Sequence, residues 1–127
     1  MNKKSIYITD LDFKRLQELV KAAREFNQEE EKYVDRLQEE LNKATIVEEN
    51  RLPKKIVTMN SKVELFDLAD KETMSYILVF PEVANIDKGK ISILSPLGTA
   101  LLGEKEGDEI ELNLVHGTRK IKIIKVN

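Results

Sequence analysis

A change of hydrophobic period at Ala44 divides this chain of 127 residues and restricts the folds open to it. Before that point Phe13, Leu16, Val20 and Ala23 fall at intervals of three, four and three, and Val34, Leu37, Leu41 and Ala44 repeat those intervals. Each set makes one apolar seam along a helix, with Leu19 and Phe26 widening the first. Thr9 followed by Asp12 reads as a helix start, the hydroxyl capping and the acid sitting at the positive end of the helix dipole. The spacing predicts helices over about Asp10 to Phe26 and about Glu29 to Ala44. Asn27 and Gln28 break the pattern between them. Two equal seams across a short polar turn predict an antiparallel hairpin, a coiled-coil arm about 24 Å long.

Beyond Ala44 the period shortens. Ile46, Val47, Leu52 and Pro53 read as part of an extended linker from Thr45 to Lys54, because proline biases its predecessor away from helix. Strands are predicted at Ile56 to Thr58, Lys62 to Leu68, Ser75 to Val79, Ile91 to Leu94, Ile110 to Leu114 and Arg119 to Val126. Lys62-Val63-Glu64-Leu65 and Lys120-Ile121-Lys122-Ile123 alternate as strands with one wet face do, and His116-Gly117 marks a hairpin turn. Between strands, Ser95 can cap a short helix that Pro96 begins, Leu97, Leu101 and Leu102 give it an apolar stripe, and Gly103 can take positive φ at its end. Gly107-Asp108 then turns into the next strand. The expected fold class is α+β: a helical hairpin arm over residues 1–50, then a mostly antiparallel β domain with one short helix over residues 51–127.

Composition limits the function. With no cysteine, neither a disulfide framework nor a thiolate metal site can form. No apolar run reaches the 18 or so residues of a membrane span, and the first ten residues carry no apolar targeting core, so a cytoplasmic protein without a membrane partner is expected. A net charge of −2 does not suit a broad phosphate-neutralising surface. The expected partner is a protein, with nucleic acid met only through it. The charge is divided unevenly, −3 over residues 1–49 and +1 over residues 50–127.

Little in the chain suggests chemistry of its own. His116 is the single histidine and no catalytic triad can be built around it. Gly98, Gly103 and Gly107 do not form a phosphate cradle. The aromatics Phe66, Tyr76 and Phe80 would have to line a pocket for prolyl isomerisation. The sharpest acidic group is at the hairpin tip, where Glu25, Glu29, Glu30 and Glu31 bracket the turn; first-turn glutamates also serve the helix dipole. The expectation is a chain that is not an enzyme, with no catalytic residue, metal or cofactor.

Ser92, Ser95-Pro96, Leu97-Gly98, Ala100-Leu101-Leu102 and Gly107-Asp108 resemble, at every spacing, the C-terminal signature of the Gre family of bacterial transcription factors. Pro53, Val57-Thr58-Met59-Asn60-Ser61 and Val79-Phe80-Pro81 look like its Rnk branch more than its transcript-cleavage branch. The resemblance covers residues 50 to 126 closely and the first 50 by architecture. It implies a coiled-coil arm on an FKBP-like domain and a monomer that binds RNA polymerase. Docking at the secondary channel would use Ser92, Ser95, Pro96 and Leu97, and would exclude other channel-binding factors. In cleavage-stimulating members the tip acids act at the polymerase active centre. This tip lacks their Gly-Asp and Glu-Asn pattern and the arm is shorter, so docking without cleavage is expected. The alternatives are a Gre-type cleavage factor using the acidic tip, a prolyl isomerase-like folding protein and a generic adaptor.

Overall fold

The computed structural model describes residues 6–26, 31–114 and 116–127. Strand β1 (Tyr7–Thr9) leads into α1 (Asp10–Phe26), which is followed by α2 (Glu31–Lys43) and β2 (Thr45–Val47). Thr9 caps α1 as expected, its Oγ1 accepting the Asp12 N–H at 3.2 Å. The seam residues Leu16, Val20, Ala23, Val34, Leu37 and Leu41 are buried, with Phe13 and Ala44 packed at their edge. Ala44 itself lies just past the helix.

The segment expected to be an extended linker is ordered instead. Thr45, Ile46 and Val47 pair in parallel with Tyr7, Ile8 and Thr9, and a 3-10 turn follows at Glu49–Arg51. The chain entering the arm is thereby zipped to the chain leaving it. Three-residue strands carry too little period to be read from sequence, and here the pairing closes through the intervening helices.

The main sheet comprises β3 (Lys62–Asp67), β4 (Glu72–Val79), β5 (Lys90–Ser92), β6 (Glu109–Leu114) and β7 (Gly117–Val126) in the order β5-β4-β3-β7-β6. All pairs are antiparallel except β4 with β5. Pairing of β3 with β7 steps from Glu64↔Lys125 to Leu65↔Ile123, leaving Ile124 as an extra residue. This bulge bends the sheet. It also explains why alternation fails late in β7: Ile121 and Ile123 face the core, Ile124 is exposed, and Val126 returns to the core one residue out of phase. The predicted strand Ile56–Thr58 does not join the sheet. Ile56 makes a single bridge to Lys105, and Val57 exchanges backbone bonds with Gly103 and Glu104, so its partner is a loop rather than a strand.

At the β3–β4 turn Asp67, with its side chain 6% exposed, receives Arg119 Nε at 2.9 Å and Nη2 at 2.6 Å, while Ala69 and Asp70 N–H groups bind its other oxygen. The Arg119 hydrogen bond is the main cause holding this carboxyl below its ordinary range. Its stabilising effect is therefore complete above the unfolded value of about 3.9 and is lost as pH falls through the folded value. Denaturant midpoints measured at pH 5 and pH 3, conditions about one unit either side of the unfolded value, should fall further for wild type than for Asp67→Asn. An equal fall in both would remove Asp67 as the source.

Candidate functional site

The turn from Ser92 through Leu97 is tied by side-chain hydroxyls bonding backbone as well as by the Ser95 N–H to Ser92 carbonyl bond. Ser92 Oγ accepts the Leu94 N–H at 3.0 Å, which turns the chain out of β5. Ser95 Oγ donates to the Ser92 carbonyl at 2.7 Å and accepts the Gly98 N–H at 3.0 Å, so one hydroxyl ties the turn and caps α3 (Pro96–Leu101). Thr99 Oγ1 donates to the Ile93 carbonyl at 2.6 Å from the opposite side. Leu101 and Leu102 are buried, anchoring the short helix from below. Ser92, Ser95, Pro96 and Leu97 are each half-exposed, so the structure brings all four expected docking residues together on one rigid turn.

That turn faces the arm. Pro96, Thr99 and Ala100 form one wall of a groove whose other walls are Arg36 and Glu39 of α2 and Leu112 of β6. The second junction lies on the α1 side, where Asp12 Oδ2 accepts the Met59 N–H at 3.2 Å and the Arg15 guanidinium lies 5.1 Å above the Phe80 ring. Burial pushes the Asp12 carboxyl above its ordinary range, against the lowering effect of the Met59 N–H. Its linkage to folding thus runs opposite to that of Asp67, favouring the fold at low pH and losing that contribution as pH rises through the folded value. The sequence reading took Asp12 as a helix-start acid and missed this long-range bond. The available signal was a stripe, Asp12, Arg15, Leu19 and Ala22, polar at its base and apolar beyond, that repeats the seam spacing one residue out of step.

Of the expected tip acids, Glu29 and Glu30 lie outside the described residues, and Glu25 and Glu31 are exposed. Among the described residues no three acidic or histidine side chains are grouped to hold a metal ion, and no helix is long and apolar enough to cross a membrane. The aromatics do not converge. Tyr76 pairs with Val63 on the core face of the sheet, Phe66 falls on the opposite face one register position away from Leu65, and Phe80 lies beneath Arg15. His116 is exposed.

Residues 52–127 match the family described as transcription elongation factor, GreA/GreB, C-terminal. The chain belongs to the GreA/GreB family. Its first part, residues 4–47, matches the family described as Rnk N-terminus, in keeping with a Rnk-like member. The transcription elongation factor GreA of Clostridium botulinum strain Langeland is 41% identical over 91 residues, covering 72% of this chain and 57% of that protein. GreA of Magnetococcus marinus is 31% identical over 105 residues, covering 83% of this chain and 67% of its own length. The chain thus spans a little over half the length of the Clostridium relatives it matches. Among solved structures, the prokaryotic transcription elongation factor GreA/GreB from Nitrosomonas europaea superposes with a TM-score of 0.78 at 36% identity, covering 98% of this chain and 99% of that one. GreA factor homolog 1 of Thermus thermophilus gives 0.51 at 27% identity over the same shares.

These relatives correct one expectation. The chain was expected not to be an enzyme, with no catalytic residue and with docking but no cleavage, yet the curated relatives are named transcription elongation factor GreA, which overturns that expectation. The Nitrosomonas structure is matched almost end to end, whereas only 57% of the Clostridium GreA protein is matched.

Proposed function

We propose that this family member binds bacterial RNA polymerase as a transcription elongation factor. Residues 51–127 are the docking domain, seated at the rim of the secondary channel by Ser92, Ser95, Pro96 and Leu97. Residues 1–50 are the arm, which enters the channel and excludes other channel-binding factors. The observation that carries this reading is the turn itself: four half-exposed residues held by hydroxyl-to-backbone bonds need little further ordering when a partner docks. The partner is a protein of modest interface, steered in part by the excess negative charge of the first 49 residues.

Capture of core polymerase by immobilised protein tests the reading. Pro96→Ala with Leu97→Asp should weaken capture about tenfold or more, equivalent to about 1.4 kcal/mol. Because Leu97 also packs against the core, Pro96→Ala alone should be run beside it, with circular dichroism confirming that both fold. Equal recovery of polymerase by wild type and both folded variants would count against the docking turn. The names of the curated relatives favour a second activity of the bound factor, stimulation of transcript cleavage. Stalled elongation complexes should then shorten their RNA when the protein is added, and unchanged RNA length at saturating protein would remove that activity.

A further inference from the structure

Besides the close approach of Ile6 to Gly103 at its base, the arm meets the β domain along two lines, one from each helix. On one side α2 packs against α3, and the buried side chains of both belong to one continuous core. On the other side α1 presents a stripe, Asp12, Arg15, Leu19 and Ala22, at intervals of three, four and three. Among the described residues, the base of that stripe makes its specific contacts with the β domain: Asp12 with the Met59 N–H and Arg15 with the Phe80 ring. Farther along, Leu19 and Ala22 look across an open groove of about 300 Å³ toward Phe80 and Glu82. Met59 is held ready by its own turn, in which Thr58 N–H donates to Ser61 Oγ at 2.9 Å and Asn60 takes φ of 71°.

We propose that Asp12 and Arg15 are positioning residues, a polar latch that sets the angle at which the arm leaves the β domain. With the latch made, α1 is fixed at two points about one helical turn apart, and rotation about the α2–α3 contact is blocked. With it broken, α1 is held on this side by its apolar packing alone, and the arm tilts about that contact toward the open groove beside Leu19 and Ala22. A small change of angle at the base is multiplied along α1, whose 17 residues span about 25 Å. For a factor that must pass its arm into a channel, the latch residues govern what the arm does after docking, not whether docking occurs. This consequence rests on the polymerase reading above; the latch itself does not.

The chain has no cysteine, so two spin labels can be placed by Lys21→Cys on α1 and Lys120→Cys on β7, both exposed positions. Pulsed dipolar spectroscopy on the free, full-length chain should give one narrow distance. Asp12→Ala with Arg15→Ala should widen that distribution about twofold or more, whereas Asp12→Asn with Arg15→Lys, which keep an acceptor and a cation, should stay narrow. Phe80→Leu removes the ring while keeping apolar packing, and should widen it through the Arg15 half alone. In the polymerase assays the double alanine variant should capture polymerase within about threefold of wild type while its exclusion of a competing channel-binding factor falls about tenfold. A distribution unchanged in both the double alanine and the Phe80→Leu proteins overturns the latch. Widening in a protein whose wild type fails to capture polymerase upholds the latch and overturns the polymerase reading instead.

Discussion

Replacing Gly98 by alanine should lower stability by about 2–3 kcal/mol and the melting temperature by about 10 °C. The direction is the informative part. Gly98 lies inside α3, where helix propensity alone favours alanine by about 1 kcal/mol. Sterics reverse that sign, because a Cβ at this position would fall on the Ser92 carbonyl oxygen and within 3.0 Å of Ser95 Oγ. The Ser92 carbonyl cannot simply move aside. It accepts both the Ser95 hydroxyl at 2.7 Å and the Ser95 N–H at 3.0 Å, so shifting it breaks the cap and the turn together. Calorimetry of Gly98→Ala beside Ala100→Gly separates the two effects. The second change, at a half-exposed position of the same helix, should cost only about 1 kcal/mol. A stabilised Gly98→Ala protein would show that the turn is loose enough to yield.

Leu37→Ala should cost about 3–4 kcal/mol, the range for a fully buried leucine whose cavity cannot collapse. Leu37 is 0% exposed and belongs to a core cluster that runs without a break from Leu16, Val20 and Val34 in the arm to Leu65, Leu101 and Ile123 in the β domain. The loss should therefore be felt by the whole chain. Far-ultraviolet ellipticity, dominated by the helices, and near-ultraviolet tyrosine signal should move together in denaturant and give one midpoint, lowered in the variant. Two separated transitions, or a loss under about 1 kcal/mol, would mean that the arm folds as an independent unit.

The helices were legible because long amphipathic elements repeat their signal: Leu16, Val20, Leu37 and Leu41 all reached the core that their spacing promised. The turn from Ser92 through Leu97 was legible for a different reason. Ser95, Pro96 and Gly98 carry strong local rules for capping, for the first helical position and for close approach, and local rules act without reference to the rest of the chain. Gly103 bore out its positive φ, at 78°. Its second role was not readable, since a side chain there would strike Ile6, which is 97 positions away in sequence. Long separation in sequence likewise hid the β1–β2 pairing, the Asp12–Met59 bond and the stacking of Arg15 on Phe80.

Asp12 shows where that division falls. Its place in the first turn of a helix, three residues after Thr9, could be read from the sequence alone, as could the amphipathic seams, the strand periods, the capped signature turn and through them the family. Each of these depends on residues a few positions apart, whose geometry the backbone period sets. Only the tertiary structure decided that the Asp12 carboxylate turns to the Met59 N–H, that α2 packs on α3 and Arg15 lies over Phe80, and that an extra Ile124 bends the sheet. Those contacts join residues brought together by chain closure. Their energies depend on burial and direction, which no local spacing encodes.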